Sequence, residues 1–190
     1  MKELSLHILD IAQNSAAAGA KNISLSLIED REGLLTVTIK DDGRGMSREI
    51  LEKVHDPFYT TRTTRKVGLG IPLFKLAAEQ AGGELSIEST SVEADPKNHG
   101  TTVRATFNTH DIDFTPIGDM VSTICTLVAG YPDIEYTFCH SAPGLEVKLS
   151  TADLREVLGK EISLAEPEVI GWLSDYLAGQ YNQNNNSEVI

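Results

Sequence analysis

Residues 35–46 read LTVTIKDDGRGM, a strand pattern that runs directly into an acidic, glycine-rich turn. Leu35, Val37 and Ile39 alternate with threonines, which is the period of a strand with one buried face. The glycines that follow allow a sharp turn, and a carboxylate placed there can accept a hydrogen bond from an amine. Because Asp-Asp-Gly is also an ordinary β-turn signal, this stretch predicts a strand and a turn but does not alone define a site.

The segments on either side of this strand predict helices packed on a sheet. Helices are predicted over 4–18, 47–54 and 71–81, where few helix breakers occur and glycines follow the first and third segments. Strand alternation recurs at 23–27, 85–87 and 103–107. The sum is a layer of helices on one face of a mainly antiparallel sheet, that is, an α/β two-layer sandwich of the α+β type.

The pattern starts again after Asn108. It predicts a helix over 117–129, a hairpin built from 134–139 and 145–149, a helix over 151–158 and a last helix that begins at Pro167. We therefore expect an N-terminal domain over 1–108, a C-terminal α+β extension of unknown role over 109–180, and a disordered polar tail over 181–190.

Composition limits the classes of partner. The 190 residues include 28 acidic and 16 basic side chains, so the formal net charge is −12. This charge repels phosphate backbones and anionic lipids, so we expect neither nucleic acid nor membrane as a partner. The chain shows no targeting or membrane-spanning pattern, and Cys125 and Cys139 have no disulfide or zinc-site spacing. We therefore expect a cytoplasmic protein with reduced thiols.

Asp10 and Asn14 are the first candidates for chemistry. A spacing of four places both side chains on one face of the first helix. An amide oxygen can complete the shell of a Mg²⁺ that also holds phosphate, and a carboxylate can orient a water or a hydroxyl for attack. Taken alone, such a pair is more often a solvated helix face.

Glycines at the start of the third helix are the second candidates. Residues 67–71 read VGLGI, and free amides at a helix start favour phosphate, although a lone Gly-x-Gly is a weak signal. A basic cluster of Arg62, Arg65 and Lys66 precedes them in a stretch, 55–66, that has no secondary-structure period. We expect that stretch to be a mobile loop.

Five segments of the chain together resemble a known family. NSAAAGA, DDGRGM, DPFYTTR, GLGIPLFK and GTTVRATF occur in the order and rough spacing of the ATP site in the GHKL superfamily, which includes histidine kinases, DNA gyrase, MutL and anti-sigma kinases. The resemblance covers about residues 4–108. It implies a Bergerat ATP-binding fold with ATP and Mg²⁺ as ligands.

The resemblance also implies roles for particular residues. Asn14 would hold Mg²⁺, and Asp41 would bind the adenine amine with support from Thr101. Gly43 and Gly45 would shape the base pocket, with Met46 against the ring. The loop over 55–67 would be an ATP lid, and the remaining ATP contacts would come from Thr60, Thr61, Arg62, Lys66, Gly68, Leu69 and Gly70. Phe58, Tyr59 and Lys75 match the family pattern but are equally explained by packing or exposure.

Asp10 bears on the reaction. Histidine kinases carry an amide at this position, whereas the ATPases and serine kinases of the superfamily carry an acid, normally glutamate. A carboxylate can act as general base for a water or a serine hydroxyl, so Asp10 is our candidate catalytic residue. His7 shares its helix face and either tunes its pKa or has no role. Cys139 and His140 are assigned none.

These features predict an ATP- and Mg²⁺-binding regulatory protein of the histidine-kinase-like class, a kinase that phosphorylates a protein or a slow ATPase. The alternative is a non-catalytic module that binds a protein partner when ATP closes the lid. Besides ATP, we expect an unidentified protein partner or phosphoacceptor, and homodimerisation stays open.

Overall fold

The computed structural model describes residues 2–54, 70–159 and 161–185. In chain order the elements are α1 (Leu4–Ala17), β1 (Asn22–Glu29), β2 (Leu34–Asp41), α2 (Arg48–Lys53), α3 (Gly70–Gln80), β3 (Leu85–Thr90), β4 (Gly100–Asn108), α4 (Met120–Gly130), β5 (Glu135–Ala142), β6 (Leu145–Ser150), α5 (Thr151–Leu158) and α6 (Pro167–Asn185). The bounds agree closely with the segments that the sequence periodicity predicts.

The described strands form one sheet in the order β3-β4-β2-β1-β5-β6. All neighbouring pairs are antiparallel except β1 and β5, which are parallel. The prediction of a mainly antiparallel sheet is therefore confirmed. The C-terminal strands extend the same sheet, since β5 is hydrogen-bonded along β1 from Asn22 to Ile28.

One face of the sheet is buried under helices. Leu25, Val37 and Ala105 are at most 1% exposed, and Ile8 of α1, Phe74 of α3 and Leu127 of α4 belong to the same core. Each such apolar side chain contributes roughly 1.5–3 kcal/mol when it is removed from water. The alternating hydroxyl residues of β1 and β2 lie on the other, half-exposed face. The two-layer arrangement follows directly from the period-two pattern.

The start of α1 is fixed by the connection that follows β4. The amides of Leu4 and Ser5 donate to the carbonyl oxygens of Pro116 and Ile117 at 2.9 and 2.8 Å. These contacts hold 116–117 outside the helix, so α4 begins at Met120 and not at 117 as we predicted. The Asp119 side chain then caps the helix by accepting from the Ser122 amide at 2.9 Å.

The last helix covers the edge of the sheet. The Gln180 side chain accepts from the Lys148 amide at 2.9 Å and donates to the Lys148 carbonyl at 3.0 Å, as a neighbouring strand would. Because α6 continues to Asn185, the expectation of a disordered tail is wrong for 181–185, and 186–190 lie outside the described residues. Among the helices of the described ranges, none is long and apolar enough to cross a membrane.

Candidate functional site

Asp41 ends β2 as a buried carboxylate, 8% exposed. A buried carboxylate needs hydrogen-bond donors, and two of them hold it in place. The Ser15 hydroxyl donates to Oδ2 at 2.6 Å, and the Gly43 amide donates to Oδ1 at 2.9 Å. Each carboxylate oxygen has two lone pairs, so both can still accept from a further N–H donor. Asp41 is therefore fixed in orientation and able to recognise an amine.

Asp10 and Asn14 both face the first residue of α3. A Cβ added at Gly70 would lie 2.1 Å from Asp10 Oδ2 and 3.8 Å from Asn14 Nδ2. The Asp10 carboxylate therefore lies directly against the backbone of Gly70, an approach that any side chain at residue 70 would block. The start of a helix carries partial positive charge from its free amides. The structure thus places an acid, an amide and a helix N-terminus side by side.

The loop between β2 and α2 is held on both sides. The Arg44 amide donates to the Ala18 carbonyl at 3.0 Å, and the Met46 amide donates to Ser89 Oγ at 2.8 Å. Gly45, between them, has φ +65, and a Cβ there would lie 1.9 Å from the Thr90 carbonyl oxygen. Only glycine fits this position. The loop backbone is therefore ordered next to Asp41 without side-chain bulk at Gly45.

Ser89 links this loop to β4. Its hydroxyl lies 3.0 Å from the Gly100 carbonyl oxygen and 2.8 Å from Thr101 Oγ1, in addition to accepting from Met46. Thr101 is the register partner of Asp41 on the neighbouring strand. The hydrogen bonds that Asp41 accepts nevertheless come from Ser15 and Gly43. Support from Thr101 stays a prediction.

His99 and Asp42 hold the surrounding backbone. His99 Nδ1 lies 2.6 Å from the Gly43 carbonyl oxygen, and since a carbonyl only accepts, Nδ1 carries the proton in this bond. Asp42 accepts from the Lys21 and Asn22 amides and from Asn22 Nδ2, at 2.7–2.9 Å. Partial burial opposes ionisation of Asp42, but these donors outweigh it and lower its pKa. Both residues support the loop from outside the cleft.

His7 lies one turn before Asp10 and is 2% exposed. Its ring stacks on Phe74 at 5.5 Å between centroids, and its Nδ1 has no hydrogen-bond partner. Burial lowers the His7 pKa from 6.5 to about 4, and the nearby Asp10 carboxylate only partly opposes this. His7 is therefore neutral at pH 7 and part of the core between α1 and α3.

The described part of the chain brings together most of the residues predicted from sequence. Asp10 and Asn14 lie at Gly70, and the second group lies at the end of β2, namely Asp41, Gly43, Gly45, Met46 and Thr101. We refer to the region between these two groups as the candidate cleft, and the roles of its residues stay predictions. Lys75 points elsewhere, because it pairs with Glu79 at 3.7 Å on the surface of α3. The segment predicted to be an ATP lid, 55–67, lies outside the described residues, and so do Gly68 and Leu69. The predicted residues of that segment are Phe58, Tyr59, Thr60, Thr61, Arg62, Arg65 and Lys66.

Sequence reasoning missed Ser15, Ser89 and His99. Ser15 adjoins Asn14 within the NSAAAGA segment, and its position one residue on from a candidate ligand was an available signal. Ser89 and His99 act across 43 and 56 residues of sequence, so no local pattern indicates them. Their contacts depend on the pairing of β3 with β4.

His140, next to Cys139, serves packing. His140 is 5% exposed, and its Nδ1 lies 2.9 Å from the Tyr181 hydroxyl of α6. Burial lowers the pKa of His140 although Glu29 opposes it. Among residues 2–54, 70–159 and 161–185, no group of three or more His, Cys, Asp or Glu side chains is arranged to hold a metal ion.

The cleft has two chemically distinct ends. At one end, the fixed Asp41 carboxylate and a narrow glycine-containing loop suit a flat ring with an exocyclic amine. At the other, Asp10, Asn14 and the start of α3 suit an anion accompanied by a hard cation. Helix α1 spans both ends, since it carries Asp10, Asn14 and Ser15.

Comparison with known proteins defines the class. Residues 1–111, more than half of the chain, match the family described as histidine kinase-, DNA gyrase B- and HSP90-like ATPases. The chain belongs to this family. The resemblance inferred from the five sequence segments is thereby confirmed.

Two curated relatives show where the similarity lies. The C4-dicarboxylate transport sensor protein DctB of Pseudomonas aeruginosa is 38% identical over 60 residues, which are 31% of this chain and 10% of that protein. The sensor histidine kinase CpxA of Escherichia coli is 30% identical over 86 residues, which are 43% of this chain and 19% of that protein. The matched segments are thus less than a fifth of these relatives.

Solved structures extend the likeness of fold. The N-terminal domain of a DNA repair protein matches with a TM-score of 0.60 at 17% identity, over 84% of this chain and 58% of that one. The MutL ATPase domain of Aquifex aeolicus, solved with ADP, matches with a TM-score of 0.52 at 17% identity, over 83% and 68%. Coverage of this extent reaches well past residue 108. The shared fold therefore includes part of the chain after residue 108, where the resemblance seen in the sequence ends.

Proposed function

We propose that the chain binds ATP with Mg²⁺ in the cleft between α1, the end of β2 and the start of α3. The observation that carries the proposal is the convergence of Asp10 and Asn14 on Gly70, where a Cβ would lie 2.1 Å from the Asp10 carboxylate. Three residues from two helices, α1 and α3, meet at a helix N-terminus, next to a buried carboxylate that can still accept hydrogen bonds. Membership of the ATPase family supports the same ligand.

The adenine end of the site is Asp41. Its two oxygens are oriented by Ser15 and Gly43, and an adenine amine would supply the next donor. A hydrogen bond to a charged, pre-oriented group in a buried site contributes roughly 1.5–3 kcal/mol. Gly45 lets the loop backbone pack directly against the Thr90 carbonyl, which fixes the loop beside Asp41. This arrangement selects a base with an exocyclic amine over one with a carbonyl at the same place.

The phosphate end of the site lies at the start of α3. Free amides at a helix N-terminus stabilise phosphate, and the Asn14 amide oxygen is a hard ligand that suits Mg²⁺. When bound, the cation neutralises charge on the phosphate oxygens. Asn14 would hold it, one turn along α1 from Asp10. A carboxylate and an amide on one helix face fit this ion without help from sulfur or imidazole ligands.

The reaction we propose is transfer of the terminal phosphate to a protein hydroxyl or to water. Asp10 is the general base, because its carboxylate lies against Gly70 at the phosphate end and can accept the proton of the attacking hydroxyl. Aspartate is one methylene shorter than the glutamate usual in the superfamily, so turnover is slow. We further propose a regulatory role in which the protein that receives the phosphate, or that binds the ATP state, is a separate partner.

The test combines ATP binding and phosphate release on one set of variants. In Asp10→Asn, binding of ATP with Mg²⁺ should change by less than about three-fold, while phosphate release should fall by a factor on the order of 100 or more. Asn14→Ala should weaken binding only when Mg²⁺ is present. Lys75→Ala is the matched control on α3, since Lys75 pairs with Glu79 on the surface, and it should leave both measurements unchanged.

The same samples separate an enzyme from a switch. Release of phosphate by wild type that disappears in Asp10→Asn identifies a catalytic site. Tight binding by wild type with no release, in the presence or absence of Mg²⁺, would exclude transfer to water. The remaining functions would then be transfer to a partner protein and an ATP-gated binding module.

A further inference from the structure

A groove of about 680 Å³ lies on the face of the sheet opposite Asp41. Asp41 is in register with Ile23, which points into the core, so the next residue of β1, Ser24, points to the other face. Two rows of side chains that cross β1, β5 and β6 form the floor of the groove. The first row is Ser24, Thr137 and Ser150, and the second is Ser26, Cys139 and Lys148. The sheet therefore separates this groove from the proposed ATP site.

The walls of the groove are apolar and incompletely covered. Val157 of α5 is 84% exposed, and Trp172 and Tyr176 of α6 are 50% and 43% exposed. The two aromatic rings stack at 4.9 Å between centroids with an angle of 11°. Leu154 of α5 completes the wall at its base. Exposed aromatic surface beside a concave polar floor is typical of a ligand site.

The charges around the groove indicate the class of occupant. Among the described residues that line it, Lys148 and Asp153 carry charge, and they have opposite signs. The Lys148 ammonium already pairs with Glu146 at 2.7 Å, and Asp153 lies in the first turn of α5, where the helix dipole stabilises it. Neither charge requires a counter-charge from a ligand. An occupant with a net charge would therefore lose hydration without gaining a partner.

We propose that this groove is a second binding site, which takes an uncharged, planar, mainly apolar small molecule with one hydrogen-bonding end. Trp172 and Tyr176 stack on each other, which leaves the outer face of the pair as a flat surface for stacking. The floor hydroxyls, such as Ser26 and Thr137, supply a donor and acceptor for the polar end. The volume falls within the roughly 300–1,000 Å³ of small-molecule sites, and it suits a molecule of two or three fused or linked rings.

The probe we would use is N-phenylnaphthylamine, an uncharged fluorophore of three aromatic rings with one N–H group. Trp172 is the single tryptophan of the chain, so energy transfer from tryptophan to the bound dye reports this groove. Wild type should show saturable binding of one dye per chain. Val157→Asp, which places a charge in the wall at a position 84% exposed, should weaken binding about ten-fold or more. Trp172→Ala, followed by the dye's own fluorescence, should weaken it similarly.

A matched control and an independent readout complete the experiment. Ile112→Asp introduces the same charge at a side chain that is 97% exposed and does not line the groove, so it should bind the dye as wild type does. Bound dye should also slow the reaction of N-ethylmaleimide with Cys139 on the groove floor, whereas Cys125, 9% exposed in the core, should stay unreactive and report that the fold is intact.

Equal binding by wild type and Val157→Asp, or dye that fails to saturate, would overturn the proposal. The proposal would also be overturned if wild type forms a dimer that excludes the dye and Val157→Asp is a monomer. The groove would then be covered by a second copy of the chain. Titration of ATP into Val157→Asp keeps this test apart from the proposed ATP site, and its affinity for ATP should equal that of wild type.

Discussion

Replacement of His7 by leucine should remove a loss of stability that wild type suffers in acid. His7 is 2% exposed and its Nδ1 has no hydrogen-bond partner, so protonation would place an unpaired charge in the core. Below pH 6.5 the unfolded chain gains a proton at His7 that the folded chain, with a pKa of about 4, does not. The contribution of neutral His7 to the free energy of unfolding is thus complete above pH 6.5 and is lost progressively as the pH falls towards 4.

The magnitude follows from the two pKa values. The gap between 6.5 and about 4, at about 1.4 kcal/mol per pH unit, gives a loss of about 3 kcal/mol from this residue. Urea unfolding of wild type and His7→Leu at a series of pH values gives the free energy of unfolding of each protein as a function of pH. The difference between these two curves measures the loss, because the contributions of the carboxylates are common to both proteins and cancel. His110→Gln, at an exposed histidine, is the control and should follow wild type. Parallel curves for wild type and His7→Leu between pH 6.5 and 4.5 would refute the reasoning.

Three further substitutions test packing by urea unfolding at neutral pH. Gly45→Ala should lower the free energy of unfolding by about 2 kcal/mol or more, because it forces a side chain to φ +65 and against a main-chain carbonyl 1.9 Å away. A loss below about 0.5 kcal/mol, which is roughly the effect of a neutral surface substitution, would contradict this. Tyr181→Phe should cost about 1 kcal/mol by removing the 2.9 Å hydrogen bond to His140, and unchanged stability would show that the bond contributes nothing. Arg155→Ala should cost about 1–2 kcal/mol, because Arg155 donates to Glu135 at 2.6 Å with both side chains largely buried; Arg155→Lys should recover only part of that loss.

Local patterns were sufficient to predict most of the elements. The alternation over 35–39 and the helix over 151–158 reappear almost residue for residue, because each depends on the period of apolar side chains in a short window. The order of the five motifs likewise predicted the family to which the chain belongs. Asp10 and Asn14 lie on one face of α1, as a spacing of four requires, and the structure adds that this face meets Gly70.

Long-range contacts were not predictable in the same way. The parallel pairing of β5 with β1 joins strands that are separated by more than a hundred residues, and a strand pattern does not specify its neighbour. The late start of α4 depends on carbonyl groups of Pro116 and Ile117 that accept from α1. Helix α6 extends into a segment of polar composition because it covers the edge of β6 through Gln180, an interaction that composition does not encode.

The central claim is that the Asp41 carboxylate recognises the adenine amine, and calorimetric titration of ATP with Mg²⁺ into wild type and Asp41→Asn tests it most directly. Asparagine keeps the shape of the side chain and can still accept from the Gly43 amide, but it loses the charge and turns one acceptor into a donor. Wild type should bind ATP and bind GTP at least about ten-fold more weakly, and Asp41→Asn should lose at least about ten-fold in ATP affinity. Equal ATP affinity in the two proteins, or no binding by wild type, would contradict the account.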